Sequence, residues 1–206
     1  MIHNYSEQVD RNNAKKSLRR GDAHPRPIPP PNESYVLKEY FITIDSRDRD
    51  RSMWASANHF QVKMDPENTF AGATVGRSFK NVRSIEVVTV QFPNTNNVLN
   101  QMYLYLNFPE IDGVYESTNL AGTKALAKLI PTALLGNYVY VQFETKYPKR
   151  IFPGKGVRID RLTPEFRMYD GSLFDFGSDT VPPNAYNPLV QTSMTLRVIV
   201  QIPNTI

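Results

Sequence analysis

An all-β, antiparallel sandwich behind an extended N-terminal arm is the fold that this sequence predicts, on three observations. From residue 37 onward apolar residues alternate with polar ones at period two, the pattern of strands that bury one face. Turn-forming residues punctuate these runs, with 16 Pro and 10 Gly in 206 residues. Helix-favouring sequence is scarce: a single stretch runs from Ala121 to Ile130, where Pro131 closes it.

Residues 1–36 form an arm rather than part of the sandwich. Up to residue 34 the sizeable hydrophobes are only Met1, Ile2, Tyr5, Val9, Leu18 and Ile28. That is too little apolar area to offset the entropy of ordering a chain. The run Pro25-Arg26-Pro27-Ile28-Pro29-Pro30-Pro31 predicts a stiff polyproline II strut. Between Arg11 and Arg26 the cations Arg11, Lys15, Lys16, Arg19, Arg20 and Arg26 face one acid, Asp22, a local charge of +5 in a chain of net +4. The arm carries the positive charge.

The sandwich is expected over residues 37–206. Tyr40, Ile42 and Ile44 share one face of the first strand, and Phe60, Val62 and Met64 one face of the second. Residues 82–92 are rich in β-branched types (Val82, Ile85, Val87, Val88, Val90) and stop at Pro93-Asn94. Met102, Leu104, Leu106 and Phe108 form the next face, then Val139, Val141 and Phe143. Val157 and Ile159 begin a further strand. Phe166-Arg167-Met168-Tyr169 leads into Asp170-Gly171, a hairpin turn signal, followed by Leu173, Phe174 and Phe176. Met194, Leu196, Val198, Val200 and Ile202 alternate in the last strand. The stretch 121–130 reads equally as a short helix or another strand. Eight or nine strands with connections this long imply Greek-key crossings, and with eight the single jelly roll is the leading architecture. Its predicted core includes Ile42, Ile44, Phe60, Val62, Ile85, Val87, Leu104, Leu106, Val139, Val141, Leu196, Val198 and Val200.

Composition narrows the chemistry. With no Cys there is no disulfide framework, thiolate metal site or thiol nucleophile. The three His residues (His3, His24, His59) are scattered, which argues against a multi-histidine metal site or a His-based triad. No apolar run reaches the roughly 18 residues of a membrane-spanning helix. The opening Met1-Ile2-His3-Asn4-Tyr5 lacks the apolar core of a signal peptide, so a soluble, non-secretory chain is expected.

The most conspicuous string is Asp45-Ser46-Arg47-Asp48-Arg49-Asp50-Arg51. A calcium loop needs a Gly at its bend and a distal Glu, and here arginines interleave with the acids instead. A carboxylate pair for glycoside hydrolysis needs one acid of raised pKa, which nothing in the string supplies. The expected role is structural: hydrogen bonds around a tight loop, or bidentate pairs across a subunit boundary. Gly154-Lys155-Gly156 lacks the spacing of a phosphate loop and reads as a turn. Tyr103, Tyr105, Tyr138 and Tyr140 read as a covered or interface face rather than a sugar platform. Trp54 reads as a loop anchor. The arm offers phosphate-binding charge but no interleaved aromatic from 6 to 34 for base stacking.

Read in order, several of these strings resemble the small capsid proteins of the nucleocytoplasmic large DNA viruses. They are Ile42-Thr43-Ile44-Asp45-Ser46-Arg47-Asp48-Arg49-Asp50, Asn58-His59-Phe60-Gln61-Val62, Val82-Arg83-Ser84-Ile85-Glu86-Val87, Pro93-Asn94, Tyr103-Leu104-Tyr105-Leu106, Leu162, Tyr169-Asp170-Gly171 and Leu173-Phe174-Asp175-Phe176. The resemblance spans about residues 37–202; the arm is not part of it. It implies a single jelly-roll virion protein and carries over no catalytic residue; with no Cys, scattered His and acids matched by neighbouring Arg, no enzymatic activity, cofactor or metal is expected. The family's members are pentons plugging icosahedral vertices or minor proteins beneath the major capsomers. Size favours the penton, because one sandwich with a short arm suits a wedge in a five-fold ring; the inner cement role is the alternative. The implied partners are further copies of the chain in a pentamer, the major capsid protein and other minor capsid proteins. The implied location is the capsid of a virion assembled in the host cytoplasm. Candidate subunit contacts are Arg11, Lys15, Lys16, Arg19 and Arg20 in the arm, and Asp45, Arg47, Asp48, Arg49 and Asp50 in the string. Nucleic acid or an anionic inner membrane is expected to be met only through the arm. From another class, a carbohydrate-binding β-sandwich module is the competing reading.

Overall fold

The computed structural model describes residues 35–65, 67, 69–70, 72–95, 100–132, 137–143 and 148–204. The arm candidates Arg11, Lys15, Lys16, Arg19 and Arg20 lie outside the described residues. The fold is nearly all β, with 45% strand and 7% helix.

Twelve strands appear among the described residues: β1 (Tyr35–Asp45), β2 (Val62–Met64), β3 (Ala73–Val75), β4 (Phe79–Pro93), β5 (Leu104–Asn107), β6 (Ala125–Leu129), β7 (Tyr138–Gln142), β8 (Lys149–Ile151), β9 (Val157–Ile159), β10 (Arg161–Leu162), β11 (Glu165–Arg167) and β12 (Ser193–Pro203). One sheet has the order β1-β12-β4-β7, with β8 and β9 following β7 along the same edge of the long β4. The other β-structure is β10-β2-β3 and β11-β5-β6. Arg161–Arg167 carries the chain from the first of these to the second, and a bridge between His59 and Glu165 joins them.

The antiparallel pairs are nested. β1 pairs with β12, β2 with β10, β4 with β7, β8 and β9, and β5 with β6. The outermost segments of the sandwich pair with each other, then the next inward, down to β5 and β6. Sheet neighbours β12–β4 and β11–β5 then join the nested pairs sideways.

Period-two patterning carries through to burial. Tyr40, Ile42 and Ile44 turn to the core while Phe41 and Thr43 turn out, and β12 buries Met194, Leu196, Val198 and Val200. Of the thirteen predicted core residues, twelve are buried; Val141, on β7 at the sheet edge, is half-buried and packs against the same cluster. Phe92 of β4 and Phe166 of β11 bring the two β-layers together at 6.0 Å between ring centres, and Phe176 packs on Phe166 at 5.2 Å.

The structure revises several expectations. β1 opens at Tyr35, two residues before the expected boundary, because Tyr35 and Val36 pair with Pro203 and Ile202. Of the ambiguous stretch only Ala121–Thr123 is helical, in a single turn that opens at Leu120, with the Asn119 side chain accepting from the Gly122 N–H at 2.6 Å. Ala125–Leu129 is a strand whose Ala125, Leu126 and Ala127 are all buried, so pairing with β5 overrides local helix propensity. Met102 lies before β5 and is 83% exposed rather than core. One pairing, β2 with β3, is parallel. Gly154-Lys155-Gly156 is a turn with φ of +65° and +82° at its glycines. A Cβ on Gly156 would sit 2.5 Å from the Val82 carbonyl oxygen, so only glycine lets this turn lie against β4.

Candidate functional site

The string Asp45–Arg51 lies where β1 ends. Asp45 closes the strand, and its carboxylate accepts the Arg47 N–H at 2.9 Å, starting the single 3-10 turn Ser46–Asp48. This turn breaks the alternation that would have put the three arginines on one face. Arg47 is half exposed, at 52%, and its guanidinium binds the Asp45 carboxylate side-on. Arg49 goes inside, with its side chain 0% exposed.

A buried guanidinium has five N–H donors to satisfy, and Arg49 satisfies all of them. Nε donates to the Trp54 carbonyl at 2.9 Å. One terminal nitrogen donates to the Ser46 carbonyl at 2.6 Å and Gln191 Oε1 at 2.8 Å. The other donates to the Ala55 carbonyl at 3.1 Å and Asp179 Oδ2 at 2.5 Å. Asp179 is itself buried, its side chain 2% exposed, and its other oxygen accepts the N–H groups of Thr180 (2.8 Å) and Asn187 (2.6 Å). Gln191 completes the hub, accepting from the Ser46 hydroxyl and donating to Asp179 and the Asn187 carbonyl. Arg51 reaches the same distant loop, donating to the Thr180 carbonyl at 3.1 Å and the Asn184 carbonyl at 2.7 Å. The string is thus an arginine clamp that fastens the loop 178–191 to the end of β1.

The acids are engaged as well. Asp50 accepts the N–H and hydroxyl of Ser52 at 2.9 and 2.5 Å, capping the turn. Asp48 is exposed. Among the described residues no three His, Asp or Glu side chains converge as a metal ligand set. Of the predicted contact residues, Arg49 is consumed inside its own chain because every donor it has is used there. Arg47 and Asp48 remain at the surface. A cleft of about 250 Å³ beside the clamp is lined by Asp45, Arg47, Tyr138, Tyr186 and Gln191, and the Tyr138 hydroxyl donates to the Pro188 carbonyl across it.

The electrostatics fit a structural site. Burial alone would raise the Asp45 carboxyl, but the Arg47 hydrogen bonds and charge hold it below its ordinary value. Burial acts the same way on Asp179, and the N–H of Asn187, the Gln191 amide, the Thr180 N–H and Arg49 together bring it below the ordinary value. Such carboxylates stay ionised at neutral pH and are unsuited to donate a proton as general acids. Because their folded pKa values lie below the unfolded value of about 3.9, they stabilise the fold fully above that pH, and the contribution is lost as pH falls through the lower folded values. Melting temperature should therefore fall steeply below about pH 4. An Asp179→Asn variant, already weaker at neutral pH, should fall less over the same range, as thermal melts from pH 7 to 2 would register.

The predicted tyrosine face divides: Tyr105 is buried at 5%, whereas Tyr138 and Tyr140 are 45% and 50% exposed. Trp54 does anchor its loop, giving its carbonyl to Arg49 and packing edge-to-face with His59 at 4.9 Å between ring centres. The sequence reading missed Asp179, Gln191 and Thr180. Asp179 is 130 residues from Arg49, and no local signal marks it as a partner. No protein-family model and no curated protein matches this chain.

Proposed function

We propose that this chain is a structural capsid protein of a large icosahedral DNA virus, a single jelly roll acting as the penton at five-fold vertices. The observation that carries the reading is the nested pairing: β1 with β12, β2 with β10, β4 with β7–β9 and β5 with β6. A jelly roll is a long antiparallel hairpin rolled into two facing sheets, and nesting of this kind is what rolling such a hairpin leaves behind. With β7–β9 counted as one strand track, β10–β11 as another and β3 as an insertion, eight strands result. The resemblance of the Asp45–Arg51 string and its neighbours to small viral capsid proteins supplies the biological setting.

The clamp supports a role in construction. Arg47 pairs with Asp45 and Arg49 with Asp179, so the clamp fixes the shape of one end of the sandwich and leaves Asp48 and the exposed side of Arg47 for neighbours. The basic arm, residues 1–34, acts as the tether, and five arms in a ring multiply weak contacts through high effective concentration.

Two measurements test this. Native mass spectrometry should give a species of five times 23.5 kDa, alone or with the major capsid protein. Deleting residues 1–34 should leave the melting temperature unchanged while incorporation into particles falls. A monomer under all assembly conditions contradicts the penton. A specific glycan found on an array, with no incorporation into particles, favours the carbohydrate-binding module instead.

A further inference from the structure

The end of the sandwich opposite the clamp carries a different chemistry. β1 and β12 run on past the core there: Tyr35, Val36, Leu37 and Lys38 are all exposed, as are Ile202 and Pro203 opposite them. Val36 is 52% exposed and Leu37 64%, on opposite faces of the same strand, so this two-stranded ribbon offers apolar side chains on both faces.

Cations lie within the ribbon and on its β4 side. Lys38 lies within it; Arg77 and Lys80 flank the start of β4; Arg83 donates to the Gly154 carbonyl of the turn that bears Lys155. The rows Lys38–Val200–Val82–Val157 place these segments side by side across the sheet. Lys38, Arg77, Lys80, Arg83 and Lys155 have no carboxylate partner among the described residues. At the clamp end Arg47 and Arg49 each have one, and Arg51 is held by the Thr180 and Asn184 carbonyls.

From this arrangement we infer that the β1–β12 ribbon and the Lys and Arg residues beside it form a docking surface for an anionic lipid bilayer. Basic side chains are drawn to the negative surface of a leaflet, while exposed aliphatic and aromatic side chains enter the headgroup boundary. A nucleic acid would satisfy only half of the surface. Phosphates would pair with the cations but leave Val36, Leu37 and Ile202 in water. Tyr40, the ring set among these cations, is already engaged by Arg77 at 4.6 Å and Lys38 at 5.6 Å rather than open for base stacking, which leaves Tyr35 as the exposed ring of the ribbon. The inference rests on the surface of the sandwich and stands apart from the shell reading.

Co-sedimentation of the full chain with phosphatidylcholine vesicles, with and without phosphatidylserine, tests it. Binding should require phosphatidylserine and weaken with salt. Lys80→Gln and Lys155→Gln should each reduce partitioning about fivefold. Val36→Ser with Leu37→Ser should reduce it by about tenfold, since those side chains supply the apolar contact. All four positions are exposed, so melting temperatures should stay at wild-type values and confirm that the fold is intact. Vesicle binding that none of these substitutions alters would assign it to the arm and overturn the proposal. So would absence of vesicle binding, or tighter binding to a DNA duplex that the Val36–Leu37 substitutions leave untouched. Self-association through Val36 and Leu37 without any response to lipid would overturn it as well.

Discussion

Replacing Arg49 with lysine should lower the stability of the protein by about 3–5 kcal/mol, the usual loss when one partner of a buried ion pair is removed or misplaced. Lysine keeps the charge but has three donors on one nitrogen, so it cannot reach Trp54, Ser46, Ala55, Gln191 and Asp179 together. Asp179 is then left buried with a displaced counter-charge. At roughly 2–4 °C per kcal/mol for a chain of this size, the melting temperature should fall by about 6–20 °C. Arg51→Lys, whose bonds lie at the surface, should cost well under half as much. A double-mutant cycle of Arg49→Lys with Asp179→Asn should show strong coupling, because each change removes the same interaction. Urea unfolding of the four proteins measures this directly.

Truncating Phe166 to alanine should cost about 3–5 kcal/mol, the range for buried aromatics. Phe166 is 0% exposed and touches rings on both sides, Phe92 at 6.0 Å and Phe176 at 5.2 Å. Its loss opens a cavity where the two β-layers meet, and the rigid strands around it limit collapse. Phe41→Ala on the outer face of β1 is the control: Phe41 is 62% exposed, so its change should fall within about 0.5 kcal/mol. Denaturant midpoints at constant m-value separate the two cases.

What the sequence disclosed and what it hid have a common physical cause. Strands that bury one face write their period into the chain, so Ile42, Phe60, Val62, Leu196 and Val198 were legible without any structure. Ala125–Leu129 was ambiguous because it is buried nearly all round, and a segment buried on both faces loses the alternation that distinguishes strand from helix. β3 is three residues long and pairs in parallel, with too few positions to show a period. At the clamp, hydrogen bonding around a tight loop was legible in the charged string, but which arginine turns inward and which distant residues it meets were not. Alternating Arg residues suggest one exposed face, and the 3-10 turn at Ser46–Asp48 instead sends Arg49 inward and leaves Arg47 out. Its partner Asp179 is close only after the sandwich closes, which is information the local sequence does not contain. The apolar ribbon at the other end escaped for a related reason. Val36 continues the alternation of Tyr40, Ile42 and Ile44 that is core further along β1, yet it is 52% exposed.

Locating the chain in the assembled particle is the most direct test of the account. Cryo-electron microscopy of purified virions should show five copies of the sandwich around each five-fold axis, with the nested strand pairs traceable. Virions whose vertices are filled by another polypeptide, and from which this chain is absent by mass spectrometry, would contradict it.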